Sequence, residues 1–493
     1  MAEVFLQLTN PGSAALADLP VLSFSEFSSQ ALRVIGERGG RVSAFFAVPQ
    51  GTKFRLILVL AVDAEGKLLL SAADIGSEYP SLTPDCPQFH WFERELFEQH
   101  GIRPHGHPWL KPIRFNQPED IPGVTDYFTM GGDGAHEVAV GPVHAGVIEP
   151  GHFRFQCLGE DVFSLEISLG YQHRGIEKRL VGGPDKQTIH LLETTAGDSS
   201  CSYTGAYCQI LETLSPDCRV SERNQALRVV AWELERIANH TGDLGALAGD
   251  VAFRPTMAYC GRIRGDFLNM TAALCGNRFG RGLIVPGGIG YEVDQAICSK
   301  VLPWLNKTGD ELKNAVDLLL TASTVLDRFE NTGTVSPETA REAGLVGVAA
   351  RACGQRQDVR HFHPYGWYCQ NNMPLAVFDS GDVLARAKVR QQELKASLET
   401  VRMLLENLPA SEKASAQCCL PGNHIAVSLV EAWRGELCHV ALTDASGKFS
   451  KYKVVDPSFH NWFGLAMALR GEQISHFPIC NKSFNLSYCG HDL

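Results

Sequence analysis

The chain has 493 residues, of which 44% are hydrophobic and 20% charged, and its formal net charge is −11. This composition is typical of a soluble globular protein of roughly two to four domains, and it excludes a disordered chain, a collagen and a coiled coil. The acidic balance argues against a free-standing nucleic-acid binder, which normally has a basic excess. The longest apolar run, residues 56–62, is too short to span a membrane, and the N-terminus does not resemble a secretory signal.

Cysteine is abundant, with 15 residues in the chain. Their spacings match no standard zinc or iron–sulfur motif, and C-x-x-C does not occur. We therefore expect reduced thiols in a cytoplasm, most of them serving as small buried apolar side chains.

The first part of the chain has the pattern of an α+β block. It predicts a helix capped by Ser23, then three strands separated by turns, then a second helix. The predicted ranges are 22–38, 42–48, 54–62, 67–73 and 89–100. Residues 116–138 are rich in proline, glycine and aspartate, which is typical of a linker. We therefore expect a first domain over 1–115, a linker over 116–138 and a second domain over 139–493.

Helices dominate the second part, with β structure at its two ends. It opens with a predicted hairpin and closes with three predicted strands, and three helical segments lie between them. These elements are 153–158, 162–168, a helix capped by Ser221, 308–330, 382–407, 425–430, 437–442 and 451–455. On the Ser221 helix an apolar stripe forms the inner face, and this places Glu222, Arg228, Glu235 and Arg236 on the surface.

One segment of the first block carries a recognisable motif. Residues 92–102 read FERELFEQHGI, and the turn Gly106-His107-Pro108 follows. An E-R-E run on an amphipathic helix would by itself indicate only a solvated charged face. With the G-H-P turn at this distance, the segment resembles the signature of the 30-kDa subunit of respiratory complex I, the NADH–quinone oxidoreductase of bacteria.

The second block resembles the 49-kDa subunit of that enzyme and, more closely, the large subunits of group 4 membrane-bound hydrogenases. The matching stretches are 141–144, 149–153, 171–178, 233–240, 285–288, 431–436 and 469–471. Together they follow the order of the fused 30-kDa and 49-kDa subunits, known as C/D proteins, over nearly the whole chain. The resemblance implies an α+β fold in which a small α/β-sandwich-like domain precedes a mainly helical, hydrogenase large-subunit-like domain with peripheral β-hairpins.

The resemblance also implies where metal ligands would stand. A nickel–iron large subunit holds its metals with four thiolates, from an early R-x-C-G-x-C and a late D-P-C-x-x-C, because soft thiolates bind these metals tightly. The corresponding positions here are Ala196, Ser199, Ser487 and Gly490. None of them supplies a thiolate, so we expect no nickel–iron centre. Only residues 491–493 follow Gly490, so we also expect no removable C-terminal tail of the hydrogenase kind.

In complex I the corresponding cavity receives a quinone, which needs hydrogen-bond donors and protons. The resemblance therefore points to His144, Glu149 and His152 as candidate catalytic residues, with Glu149 as a proton-relaying carboxylate. The alternatives are a structural histidine and an exposed loop carboxylate. The usual partner tyrosine is matched only by the candidates Tyr203 and Tyr207.

The former metal cavity supplies a second set of candidates. It is predicted to be formed by Ala196, Asp198, Ser199, Ser487 and Gly490, with Arg434 and Asn485 in its wall. Asp198 could bind a cation, orient a donor or cap the next helix, and its Gly-Asp-Ser-Ser context favours the cap. Arg434 matches the arginine beside the diatomic iron ligands of hydrogenases, and Trp433 replaces the usual proline. Without metal, we expect Arg434 to hold Asn485 or another polar wall group.

The resemblance implies three candidate functions. The first is an oxidoreductase subunit of a membrane-associated, complex I-like assembly, beside a small iron–sulfur subunit and membrane subunits, at the cytoplasmic side of the cell membrane. Electrons would pass from the partner's iron–sulfur cluster to a quinone or another acceptor. The chain itself has no G-x-G-x-x-G motif for NAD, and we expect it to hold no cofactor of its own. The second is a non-catalytic docking and coupling subunit of the same assembly. The third, an active nickel–iron hydrogenase, conflicts with the ligand positions.

Overall fold

This computed structural model describes residues 4–117, 119–146, 148–410 and 419–493. The strands in these ranges are β1 (Leu6–Leu8), β2 (Gly12–Ala15), β3 (Val21–Leu22), β4 (Arg41–Gln50), β5 (Lys53–Val62), β6 (Lys67–Ile75), β7 (Glu78–Pro80), β8 (Arg103–His105), β9 (Ala135–Val140), β10 (His152–Leu158), β11 (Asp161–Ser168), β12 (Ile284–Val285), β13 (Gly288–Ile289), β14 (His424–Ala432), β15 (Gly435–Thr443) and β16 (Phe449–Val455). The α-helices are α1 (Phe24–Arg38), α2 (His90–His100), α3 (Ile176–Leu180), α4 (Thr188–Glu193), α5 (Ser200–Leu214), α6 (Glu222–Asp250), α7 (Arg254–Cys275), α8 (Gln295–Thr321), α9 (Ser323–Phe329), α10 (Pro337–Glu342), α11 (Gly347–Arg351), α12 (Val359–Phe362), α13 (Val383–Glu406), α14 (Pro457–Ala468), α15 (Phe477–Phe484) and α16 (Tyr488–Asp492).

The first domain is built on a sheet in the order β1-β6-β5-β4, with β3 parallel to β6. Residues 56–62 of β5 are buried on both faces of the sheet, which explains their continuous hydrophobic run. Helix α1 begins after Ser23, whose Oγ accepts a hydrogen bond from the Glu26 N–H, and it ends at the left-handed Gly39. The predicted helices and strands of this block are confirmed.

The second domain combines long packed helices with a sheet in the order β16-β15-β14-β2. Helix α6 lies at its centre against α7 and α13, and α5 packs on β14 and β15. The predicted N-cap Ser221 accepts a hydrogen bond from the Asn224 N–H, and the predicted strands and hairpin are present. No helix in the described ranges combines the length and apolarity needed to cross a bilayer.

Two features of the β structure differ from the sequence pattern. The end of the predicted linker forms β9, which pairs with β10 and extends the predicted hairpin to three strands. Near the N-terminus, β2 leaves the first block and pairs with β14 of the second. Backbone pairing with a distant strand has no local signature, so these short segments could not be assigned from the sequence.

The E-R-E helix α2 joins the two domains through buried charges. Glu95 forms ion pairs with Arg114 and, at 2.6 Å, with Lys453 on β16. Arg94 donates to the carbonyls of Lys111 and Pro112, at 2.7 and 2.8 Å. The interpretation of this run as a solvated charged face is therefore wrong, because each of these charges has its partner inside the protein.

The surface positions predicted on α6 are also wrong for the two arginines. Arg228 is buried against Glu212 at 2.6 Å, and Arg236 is buried against Glu233 at 3.1 Å. Since α6 is surrounded by other elements, charged residues beside its apolar stripe meet carboxylates instead of water.

The cysteines are mostly buried thiols, as predicted, with one exception. Among the described residues, 13 cysteines are free, and ten of these are buried. Cys218 is disulfide-bonded, so the expectation of reduced thiols is wrong at this position.

The buried Glu95 pair predicts a large effect of Glu95→Gln on stability. Burial would raise the pKa of Glu95, but Lys453 and Arg114 lower it to about 2, below its ordinary value of 4.5. The pair therefore stabilises the fold fully above pH 4.5, and its contribution is lost as the pH falls toward about 2. At pH 7 we expect Glu95→Gln to lower the free energy of unfolding by about 3–5 kcal/mol, measured by urea denaturation.

The control for this experiment is Glu37→Gln. Glu37 forms an exposed pair with Arg33 on α1, and its loss should cost less than about 0.5 kcal/mol. Equal losses of unfolding free energy in the two variants would show that the buried pair stabilises the fold no more than an exposed pair does.

Candidate functional site

The candidate site forms where two chain segments meet. One is the loop 196–199 between α4 and α5, and the other runs from Asn485 through α16. Arg434 joins them, because its Nη1 and Nη2 donate to the two carboxylate oxygens of Asp198 at 2.8 and 2.7 Å. Its Nε donates to the Asn485 carbonyl at 2.6 Å. One guanidinium group thus fixes the distance between both halves of the site.

Asp198 is held by its backbone as well as its carboxylate. Its carbonyl accepts hydrogen bonds from Trp433 Nε1 at 3.0 Å and from Asn239 Nδ2 at 2.8 Å. Trp433 and Arg434 form the tight turn between β14 and β15, and the guanidinium lies 3.9 Å from the centre of the Trp433 ring. The tryptophan in place of proline therefore supplies a donor that a proline could not.

The preferred prediction that Asp198 caps a helix is wrong. The N-cap position of α5 is Ser199, and no side chain caps that helix there. Burial would raise the pKa of the Asp198 carboxyl, but the Arg434 guanidinium holds it below its ordinary value. Asp198 is therefore an anion that neutralises a buried cation.

The four positions implied as metal ligands do not fit a metal. Ala196 and Gly490 have no donor atom, and a Cβ at Gly490 would lie 2.5 Å from Asp456 Oδ2. The Ser199 hydroxyl donates to Asp198 at 3.2 Å, and the Ser487 hydroxyl accepts from the Gly490 N–H at 2.9 Å. Within the described ranges, no three His, Cys, Asp or Glu side chains are grouped to hold a metal ion.

The loop before β10 reaches the same region through Gly151. His144 Nε2 lies 2.8 Å from the Gly151 carbonyl, and a Cβ at Gly151 would lie 2.6 Å from the Tyr488 ring. Burial and the nearby carboxylates of Glu149 and Asp198 raise the pKa of the Cys489 thiol to about 12. The structure thus places Glu149 beside the segment that carries Ser487 and Gly490.

The remaining sequence candidates have other surroundings. His152 begins β10, and its ring lies 5.4 Å from that of Tyr127, with burial lowering the pKa of its imidazole. Tyr203 donates its hydroxyl to Asp456 at 2.7 Å, and Asp456 in turn lies next to Gly490. Tyr207 is buried in the same helix, α5.

Asn485 donates to the carboxylate of a second ion pair, which Asp243 forms with Arg390. Its Nδ2 donates to Asp243 Oδ1 at 2.5 Å, and Arg390 donates to Asp243 Oδ2 at 2.7 Å. The residue adopts the left-handed conformation at the end of α15, with φ of 45°, which asparagine tolerates better than most residues. The site therefore contains two neutralised carboxylates, Asp198 and Asp243.

Sequence reasoning missed Glu235 on α6 as a site residue. Its carboxylate accepts hydrogen bonds from the N–H groups of Cys201 and Ser202, at 2.7 and 3.2 Å, and from the Ser202 hydroxyl at 2.5 Å. It lines a small cavity with Asp198 and Asn239, and burial raises the pKa of Glu235 to about 7. Its spacing of four residues from Asn239 on one helix face was the available signal.

Two family models match the chain. Residues 30–127 match the respiratory-chain NADH dehydrogenase 30-kDa subunit, and residues 250–425 match the 49-kDa subunit. The chain therefore contains fused domains of both kinds, in the order expected from its motifs.

Curated relatives extend the similarity over most of the chain. The carbon monoxide-induced hydrogenase of Rhodospirillum rubrum is 31% identical over 71% of this chain and 97% of its own. Formate hydrogenlyase subunit 5 of Escherichia coli is 28% identical over 90% and 80%, and the C/D protein of the NADH-quinone oxidoreductase of Phocaeicola vulgatus is 27% identical over 73% and 76%. A chain of the membrane-bound sulfane sulfur reductase, an archaeal respiratory membrane complex, shares the fold, with a TM-score of 0.68 and 24% identity over 73% of this chain and 98% of that one.

The Asp198–Arg434 pair predicts that Asp198→Asn destabilises the protein. The variant leaves a buried guanidinium without its anion, and Asp198 is itself one-third exposed. We expect a loss of about 2 kcal/mol in urea denaturation, less than for a fully enclosed pair. Glu65→Gln, which breaks the exposed Arg38–Glu65 pair, is the control and should lose under about 1 kcal/mol. A loss no larger than the control would contradict this assignment.

The raised pKa of Glu235 predicts a pH-dependent stability. Its carboxyl releases its proton near pH 4.5 in the unfolded chain and near pH 7 in the fold, so stability decreases as the pH rises through this window. Glu235→Gln removes this loss. Relative to the unmodified protein, the variant should gain on the order of 2 kcal/mol between pH 5 and pH 8. Glu222→Gln, at the exposed start of α6, should show no such gain.

Proposed function

The chain belongs to the family of group 4 hydrogenase large subunits and fused C/D proteins of NADH–quinone oxidoreductase, and on this premise we propose that it is an oxidoreductase subunit without a nickel–iron centre. Its homologues are subunits of membrane-bound hydrogenases and complex I-like assemblies. In this proposal the chain lies at the cytoplasmic side of the membrane, between a small iron–sulfur subunit and membrane subunits.

The Asp198–Arg434 ion pair is the observation that carries the proposal. In a nickel–iron site the arginine lies beside a metal cluster, whereas here its guanidinium is neutralised by a carboxylate at 2.7–2.8 Å. Thiolates would be needed at four positions, and Ala196 and Gly490 have no side-chain donor. The residues present therefore favour a polar cavity that is stable without metal.

The acceptor that we propose is a quinone. Its reduction takes two electrons, which the partner's iron–sulfur cluster would supply, and two protons, which the protein must deliver. His144 and Glu149 are proposed for hydrogen bonding and proton delivery, since their loop adjoins the Ser487–Gly490 segment through Gly151 and Cys489. His152 is proposed as a further polar group of this loop.

The alternative is a non-catalytic docking and coupling subunit. One observation favours it: four polar groups at the cavity are already bonded to one another, because Arg434 donates to Asp198 and to the Asn485 carbonyl, and the Asn485 side chain donates to Asp243. A connected set of bonds of this kind transmits a displacement from one segment to the next, which is what a coupling subunit requires.

Turnover of the complete assembly separates these two functions. In membranes containing the whole complex, we expect His144→Ala and Glu149→Gln each to lower quinone-dependent turnover at least about 10-fold, since loss of a donor or proton carrier has effects of this size. His136→Ala, on the exposed side of β9, is the matched control and should leave turnover unchanged.

Unchanged turnover in both variants, with the complex intact, would favour the docking role. Elemental analysis of the purified assembly tests the other half of the proposal. Stoichiometric nickel bound to this chain would contradict the assignment of a metal-free cavity.

A further inference from the structure

A second opening adjoins the candidate site on the side of α6 and α7. It is a polar pocket of about 350 Å³. Its polar lining comprises Asp198, Asn239, Asp243, Arg264, Lys482 and Asn485. Among its lining side chains only Met257 and Ala246 are apolar, the rest of the wall being glycine.

Within the described ranges, the two basic side chains of this pocket are not held in ion pairs. Both carboxylates are already neutralised from behind, Asp198 by Arg434 and Asp243 by Arg390. Arg264 and Lys482 have no carboxylate within 4 Å in the part of the chain that the structure describes. Their charges act on carboxyls that lie farther away, Arg264 on Asp198 and Lys482 on Asp250, so their N–H donors remain available to a ligand.

The position of Arg264 depends on a glycine of the facing helix. A Cβ at Gly242 would lie 2.9 Å from Arg264 Cδ and 3.0 Å from its Nε. Because position 242 has no side chain, the Arg264 stem lies across α6, and its positive charge acts on Asp198. A guanidinium placed this way presents several N–H donors to a ligand in the pocket.

We propose that this pocket binds a small anion with several oxygen acceptors, a carboxylate or an oxyanion, held by Arg264 and Lys482 beside the Asp198–Arg434 pair. The inference deepens the proposed function, on which it rests only for the location of the site, by giving the chemical class of a ligand there. The volume suits a small molecule, and the two cationic donors, which lie in no ion pair among the described residues, favour an anion over a cationic ligand.

Sulfate binding to the purified full-length chain tests this proposal. Equilibrium dialysis with labelled sulfate at constant ionic strength should show one saturable site per chain. Arg264→Gln and Lys482→Gln should each weaken sulfate binding at least about 10-fold, since each removes a charged donor. Arg262→Gln is the matched control: Arg262 lies on the same helix but is paired with Asp266 and Glu311, so its loss should leave sulfate binding unchanged.

Two results would overturn the proposal. One is the absence of saturable sulfate binding to the unmodified chain, and the other is sulfate binding that is undiminished in both variants. Circular dichroism identifies any variant that does not fold, and Lys482, near the surface of α15, provides the second variant if Arg264→Gln is lost. The measurement needs no partner and no electron donor, so its failure is distinguishable from a failure of the turnover experiment.

Discussion

The bidentate ion pair between Asp198 and Arg434 is the interaction on which the rest of the site depends. It ties the loop before α5 to the β14–β15 turn, and the same arginine reaches Asn485 at the end of α15. A buried guanidinium without an anion would be strongly unfavourable, so the Asp198 carboxylate balances the charge of Arg434 in this interior. Trp433 adds a donor to the Asp198 carbonyl, and the cavity keeps its shape through these contacts.

A similar rule governs the contact between the two domains. Charged groups of α2 enter the interior and find their partners on β16 and on the chain leading out of the first domain. Arg94 also lies between the rings of Trp91 and Trp109, at 4.4 and 4.7 Å. Buried pairs of this kind fix geometry more than they add stability, because their attraction is offset by the loss of hydration. They account for a rigid junction between the two family domains.

At the candidate site, the side chains present suggest a different chemistry from that of the hydrogenase relatives. Relatives include hydrogenases, yet the positions that we assign to the metal ligands from the sequence resemblance carry alanine, serine and glycine. The cavity there contains two neutralised carboxylates, and Arg264 and Lys482 lie at its edge without an ion pair in the described part of the chain. The residues of a site can therefore change while the fold around them is kept.

The sequence by itself determined the order of the two domains, the main strands of their sheets and helices such as α1, α2, α6 and α13, whereas the ranges of α3–α5, α7 and α14–α16 were not predicted. These features depend on hydrophobic spacing, on caps such as Ser23 and Ser221, and on residue identity, all of which are local. Only the tertiary structure decided that Asp198 pairs with an arginine 236 positions away instead of capping its own helix, and that Glu235 accepts hydrogen bonds from the first turn of α5. Several donors, close in the sequence or distant, can bond to a carboxylate equally well. The fold selects the one whose charge would otherwise be buried without a counter-charge.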